Sequence, residues 1–353
     1  PKYRYQLWDL GNYDSLTSID SSKVHEIPII FGDYNTSDDV SGECTTPMES
    51  GATGNCTIGD YMTHPAFISI PSTGFWVGKF STTYQNTNED IYNPENISIK
   101  PNQFIWNLGN YVKHLNSYNY QRDLDSHMMK NTEWGSVAYL SYSAYGIQDK
   151  IRVNNHINSI TGYAANNEPT CGYTGTNEEC NRYCNDGTCN TAYPNSVLAS
   201  TTGNVTGIFD MAGHYSVTMS FMEYNDGSVT VGLDNSRQSG FKGTLGDGSI
   251  NTTGIDLPDK KYYDLYQFSN VRDNVSFSRR ILGDATGEMG PMDISNNIKV
   301  NSWHNAGLNQ YFSTTYPIGH RGYSYNSGYH ADIFSFQGTY TFSGYSFRVI
   351  LTP

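Results

Sequence analysis

The chain of 353 residues has little charge, little of it positive, and no long hydrophobic run. Only 21 Lys and Arg stand against 34 Asp and Glu, for a net charge of −13, and the basic residues form no stripe. Binding to phosphates needs clustered cations, so a nucleic-acid partner is excluded. No stretch of about 18 apolar residues occurs, which argues against a spanning helix. The chain starts at Pro1 with neither a methionine nor a signal-type apolar core. A targeting or anchoring segment is therefore expected to have been removed ahead of it. There is no internal repeat and no clean linker. None of the histidines, His25, His64, His114, His127, His156, His214, His304, His320 and His330, forms an H-E-x-x-H or H-x-H pattern. Gly246–Ser249 reads as a turn, not a phosphate loop, because neither a helix pattern nor a lysine follows it.

What is present suffices for a folded core: 37% hydrophobic and 14% aromatic residues in spaced runs. The chain holds 29 Tyr and 34 Gly among abundant Asn, Ser and Thr, the composition of many extracellular binding surfaces. Cys44 and Cys56 flank a Gly-rich loop; Cys171, Cys180, Cys184 and Cys189 share the segment TCGYTGTNEECNRYCNDGTCN. An even count in loop-like segments reads as a disulfide framework in an oxidising compartment. Zinc is the alternative, but these spacings lack the paired C-x2-C knuckles of structural zinc sites. Cys44–Cys56 and two bridges within the second group are the expected pairs, with the connectivity of the latter open. Sequons stand at Asn35, Asn55, Asn96, Asn204, Asn251 and Asn274; they carry glycans only in a eukaryotic source.

Alternation at Phe75, Val77 and Phe80 predicts a strand with one buried face. Phe104, Leu108, Tyr111, Val112 and Leu115 recur at helical spacing after Pro101 and Asn102, predicting a first helix. Met129, Trp134, Val137, Ala138 and Leu140 predict a second, ending near Gly146. Phe347, Val349 and Leu351 predict a last strand with one shared face. Two helices within a strand- and loop-rich chain give an α+β class.

Four segments in order carry a family resemblance: GFWVGKFSTT (74–83), NTEWGSVAYL (131–140), NVTGIFDMAGHYSVTM (204–219) and HRGYSYNSG through YSFRVIL (320–351). Together they resemble the C-type lectin fold in its formylglycine-generating-enzyme-like branch, over residues 64–351. GIFDMAG followed by SFRV is the most specific element. The resemblance implies two helices with short antiparallel strands and long loops. It divides the chain into a loop and strand extension, 1–60, and a lectin-like domain, 61–353. That domain carries a Cys-rich insert at 165–192 and a variable region at 320–347.

The ending resembles, more narrowly, surface-displayed variable proteins of diversity-generating retroelements. There the segment before the terminal F-R-V strand is hypervariable through adenine-directed mutation of AAY codons. Residues 323–345 hold five tyrosines and no Lys, Arg, Glu, Met or Trp, and Gln337 is the single residue such codons could not supply. The resemblance implies an extracellular or cell-surface protein, bacterial or phage-borne, that binds a protein or surface ligand without inserting in a membrane. Contact residues would be Tyr323, Tyr325, Asn326, Tyr329, His330, Asp332, Ser335, Thr339, Tyr340, Phe342 and Tyr345. Apart from the resemblance, alternation in ADIFSF (331–336) sets Phe334 with Phe336 on one face and Ile333 with Ser335 on the other, and Phe334, Phe336 and Phe347 are expected in the core. The tyrosines carry their own physical argument: a wide amphipathic ring with two torsions to freeze. An ordinary tyrosine-rich β region is the competing reading.

No enzyme is expected. Formylglycine-generating enzymes bind copper through C-terminal cysteines, and here none follows Cys189. No cofactor is expected either, with a structural calcium on loop oxygens left open; the sugar-binding E-P-N and W-N-D motifs are absent, Trp303-His304-Asn305 being a loose echo. Asp210 is expected to accept backbone N–H bonds at a turn, and Arg321 and Arg348 to bond carbonyls or carboxylates. His127 reads as a packed residue at a helix start. Trp76, Trp134 and Trp303 read as core. The alternatives are an adhesive subunit of a pilus, surface fibre or phage tail with a lectin-like head, and a formylglycine-generating-type oxidase with relocated chemistry.

Overall fold

The computed structural model describes residues 2–4, 61–63, 66, 74–84, 97–105, 126–141, 143, 145–172, 175–176, 181–185, 187–266, 284–285, 292–293, 298–299, 312–341 and 345–352. Of the 1–60 extension, Lys2–Arg4 pairs antiparallel with Tyr61–Thr63. Cys44, Cys56, Cys180, Trp303 and Phe342 lie outside the described residues.

An eight-stranded sheet is organised on the strand Ser216–Glu223. On one side it meets Ile318–Arg321, which pairs in turn with Phe336–Thr339. On the other lies Val229–Thr230, followed by Gly243–Thr244 and Ile250–Asn251. Asp264–Tyr266 and Ser346–Phe347 also pair with the central strand, both in parallel. The alternation of the central sequence explains its place. Val217, Met219 and Phe221 enter one apolar cluster with Ile318 and Phe347. Thr218 and Ser220, on the opposite face, hydrogen-bond each other at 2.8 Å, and Thr218 also donates to the carbonyl of Gly319 at 3.2 Å. Both faces are buried, and on the polar one Thr218 and Ser220 satisfy each other while the Ser216 hydroxyl has no partner among the described residues.

A second sheet has the chain terminus in its middle: Val349–Leu351 between Trp76–Val77 and Ser126–Met128. The chain therefore leaves one sheet at Phe347 and joins the other at Val349. Arg348, between them, is fully buried; its guanidinium donates to the carbonyls of Gly78 and Phe209. The predicted single face of the last strand is divided by this crossing: Phe347 is fully buried, Val349 and Leu351 are half-buried, and Ile350 fills the main core.

The two-helix α+β expectation is overturned. Among the described residues there is one α-helix, Asn131–Ser141, and the architecture is mostly sheet. Phe104 and Ile105, where the first helix should begin, sit instead in β-bridges to Ile160 and Thr83. Phe104 is 56% exposed, so its apolar side chain buries no helix face. Leu108, Tyr111, Val112 and Leu115 lie outside the described residues.

The observed helix starts on a built cap. Glu133 reaches back to accept the Lys130 backbone N–H at 2.8 Å, half of a capping box. Asp264 accepts from the N–H and the hydroxyl of Thr132 at 2.7 and 3.1 Å, adding a carboxylate where the helix dipole favours one. His127, fully buried just ahead of the helix, contacts Glu133 through Nε2 at 2.8 Å. Trp134 is fully buried and donates its indole N–H to the carbonyl of Ile333 at 2.7 Å, tying the helix to the C-terminal segment. Trp76, predicted as core, is 71% exposed: it stands on an edge strand and points away from the core that Val77 meets.

Candidate functional site

The C-terminal segment begins where Ile318–Arg321 ends in a tight reversal. Gly322 and Tyr323 both take positive φ, 80° and 54°. At Gly322 a Cβ would stand 2.5 Å from the carbonyl oxygen of His214, so only glycine fits. Before the reversal, Arg321 is fully buried and bonds to the side chain of Asn131 at 2.6 Å and to the carbonyls of Asp284, Ala285 and Phe334. Asn131, Tyr266 and Asp284 complete that network, with the Tyr266 hydroxyl donating to Asp284 at 2.7 Å. The arginine thus clamps the start of the segment to the helix, as its carbonyl-binding role predicts.

Asp332 and Ser335 are fully buried and act within the segment. Asp332 Oδ1 accepts the Phe334 N–H at 2.9 Å, and Ser335 Oγ accepts the Asp332 N–H at 3.1 Å while donating to the carbonyl of His330. Lys150 Nζ stands 3.8 Å from Asp332 Oδ2. Phe334, Phe336 and Phe347 are fully buried, and so is Ile333, so the 331–336 stretch turns inward on all sides. Its side chains are anchors.

Four of the predicted contact residues are thereby placed in the interior: Tyr323, Asp332, Ser335 and Thr339 are all buried. The reason is local. Asp332 and Ser335 satisfy the backbone of their own turn, Thr339 donates to the Tyr345 hydroxyl at 3.3 Å, and Tyr323 packs with Val153 and Ala331. Tyr325, Asn326, Tyr329, His330, Tyr340 and Tyr345 are half-buried.

Five of these six have ring contacts, in separate small groups. Tyr345 stacks on the buried ring of His320 at 4.9 Å and meets Tyr215 edge-on at 5.2 Å. Burial raises the Tyr345 hydroxyl above its usual pKa. Tyr340 lies 5.9 Å from Tyr316, with the Arg237 guanidinium 5.4 Å from its ring. Tyr325 meets Tyr183 edge-on at 6.3 Å, and Tyr329 meets His330 at 4.3 Å. Tyr183, Tyr215, Tyr316 and Arg237 were invisible as neighbours because they come from four other stretches of chain. Their one sequence signal is the tyrosine richness outside the tail.

The GIFDMAG motif forms the support below. Asp210, at φ 60°, accepts the Gly162 N–H at 2.8 Å, the Asn154 amide at 2.8 Å and the Ser81 N–H at 3.3 Å. This is the structural role predicted for it. His214 is buried with neither ring nitrogen hydrogen-bonded, its Nδ1 3.9 Å from Asp210 Oδ1. Burial pulls its pKa down to about 4, only partly offset by Asp210. His320 is held neutral in the same way, down to about 3 by burial and by Arg321.

The cysteine segment packs against the tail. Cys184 and Cys189 form a disulfide, and Cys171 is disulfide-bonded as well. The disulfide reading of these positions stands, and their thiolates are not free to hold zinc. Among the described residues no group of three or more His, Cys, Asp or Glu is placed to hold a metal ion. No described helix is long and apolar enough to cross a membrane.

No protein-family model matches the chain, and no curated protein matches it.

Proposed function

We propose that this chain is a surface-displayed or extracellular recognition protein, related to the variable proteins of diversity-generating retroelements, that binds a protein target through its C-terminal tyrosines. One observation carries the reading. The half-buried rings of Tyr325, Tyr329, Tyr340 and Tyr345 occur along a segment whose other side chains, Arg321, Phe334, Phe336 and Phe347, are fully buried anchors. Rigid aromatic side chains on a fixed backbone bind with little ordering cost. Anchors that satisfy the backbone leave the exposed positions free to change, because substitutions away from packing features cost within about 0.5 kcal/mol.

In this reading the protein acts by recognition and carries out no reaction. The surrounding DNA tests it. The expected finding is a neighbouring reverse transcriptase and a near-copy of the codons for residues 320–350 that differs mainly at adenines. A locus without either, in a strain where the tail codons are constant, overturns the reading.

A further inference from the structure

The variable-protein reading confines recognition to the tail, but the tail does not stand alone. A second segment, distant in sequence, meets it at three points. The N–H of Tyr329 donates to the carbonyl of Cys171 at 3.4 Å. At Gly172, a Cβ would lie 2.2 Å from Nε2 of His330 and within 2.9 Å of two further atoms of that ring. At Gly328, where φ is 62°, a Cβ would lie 1.9 Å from the Cys171 carbonyl oxygen. The two backbones are thus in contact, with a glycine on each side of the junction, and the His330 ring occupies the space a side chain at 172 would need. Just beyond, the half-buried rings of Tyr183 and Tyr325 meet edge-on.

The stretch that carries Tyr183 is fixed to the core. Cys184 exchanges backbone hydrogen bonds with the core stretch around His156, its N–H going to Asn155 and its carbonyl accepting from Ile157, both at 2.8 Å. The carbonyl of Cys189 accepts from Asn166 at 3.0 Å, and the disulfide joins the two cysteines. Tyr183 therefore precedes a residue bonded both to the core and to its own loop. Its ring is presented beside Tyr325 from a rigid base.

We propose that the disulfide-bridged segment is the second half of the recognition surface, with Tyr183 as a contact residue for a protein target and Gly172 as the positioning residue that seats His330. This rests on the recognition reading above. It differs in placing an essential part of the surface outside the diversified tail, on a stretch that retroelement mutagenesis would leave constant. The bridge then matters for recognition locally, by closing the loop that follows Tyr183.

The test uses the full chain displayed on yeast, randomised at Tyr325, Asn326, Tyr329 and Tyr340 and sorted against biotinylated lysozyme. In the recovered binders, Tyr183→Ala is expected to weaken binding about tenfold or more, the size of a central aromatic contact. Gly172→Ala, and the pair Cys184→Ala with Cys189→Ala, are expected to weaken it as well, while the purified chain still unfolds cooperatively and remains folded at the assay temperature. Binders indifferent to all three changes overturn the proposal. A second readout needs no target: carbethoxylation of His330, followed by peptide mass. Displacing the ring with Gly172→Ala should speed its modification several-fold while that of buried His320 stays slow. An unchanged rate overturns the seat at Gly172. A library that yields no binder, together with an accelerated His330, sinks the recognition reading and leaves the seat standing.

Discussion

Single buried polar residues do much of the work in this fold, and they respond to pH in opposite senses. His214 and His320 have folded-state pKa values near 4 and 3, below the ordinary 6.5, because burial disfavours the cation. A base held neutral in the fold gives stability that is present above pH 6.5 and lost as pH falls toward 4. Asp264 is the reverse case: burial raises it from 3.8 to about 6. Its contribution is full below pH 3.8 and lost as pH rises through 6. At about 1.4 kcal/mol per pH unit and per proton, two histidines against one carboxyl leave a net loss of stability between pH 6 and 4. Changing His320→Phe should remove one of these protons and keep the stack with Tyr345 and Tyr215. The acid unfolding midpoint, followed by tyrosine fluorescence, should then move to lower pH. A midpoint that stays in place would show that His320 charges without cost.

Arg348 is the other decisive residue. Burial lowers its pKa to about 10, so it stays charged at neutral pH, and its guanidinium fills the carbonyls of Gly78 and Phe209 where the chain changes sheets. Arg348→Ala would orphan both carbonyls and leave a void in the interior, at a cost of at least about 3 kcal/mol. Arg348→Lys should rescue only part of this, since one ammonium cannot reproduce the forked geometry. Urea denaturation of the two variants reads the difference directly.

At the scale of elements, the readable parts were those whose local chemistry and tertiary role agree. The helix 131–141 was legible through Trp134, Val137 and Ala138, and Asp210, Arg321 and Arg348 through the motifs that contain them. The stretch after Pro101 was misread because helical spacing of apolar residues does not say whether a partner exists to cover them; Phe104 and Ile105 found bridges instead. The last strand misled for another reason. A period of two assumes one sheet, and this strand serves two, changing over at Arg348. Within the candidate site, alternation sorted Phe334 and Phe336 correctly but set Ser335 outward, and polarity alone marked Asp332 as a contact although it shares the face of Phe334. Short polar side chains that cap their own turn can be buried at no hydrogen-bonding cost, and sequence period is blind to that.

The helix start offers an element-scale check. Thr132 N–H depends on Asp264, which arrives from a strand far along the chain. Asp264→Ala removes the acceptor and should destabilise the protein by about 1–2 kcal/mol, the range of a lost N-cap. Asp264→Asn keeps one oxygen for Thr132 and removes the titrating proton. It should recover part of the loss and, with the offsetting carboxyl gone, steepen the fall in stability between pH 6 and 4.

For the molecule as a whole, the question is whether the frame is indifferent to what its surface carries. The core side of the tail is deep: Phe334 and Phe336 join Trp134, Met129 and Phe312 in one cluster, while Phe347 joins the central strand in another. Deleting such a ring costs about 3–5 kcal/mol. The outer side is shallow, and Tyr325, Tyr329 and Tyr340 touch mainly one another's neighbours, Tyr183, His330 and Tyr316. Replacing these three tyrosines together by serine should therefore leave cooperative unfolding within about 1–2 kcal/mol of the parent, since each truncation removes a partly exposed ring. Phe336→Ala alone should exceed that loss. Thermal unfolding of the two proteins separates the cases. If the triple variant melts as early as Phe336→Ala, the tyrosines hold the fold together, and a surface that cannot change without unfolding is no place for diversified recognition.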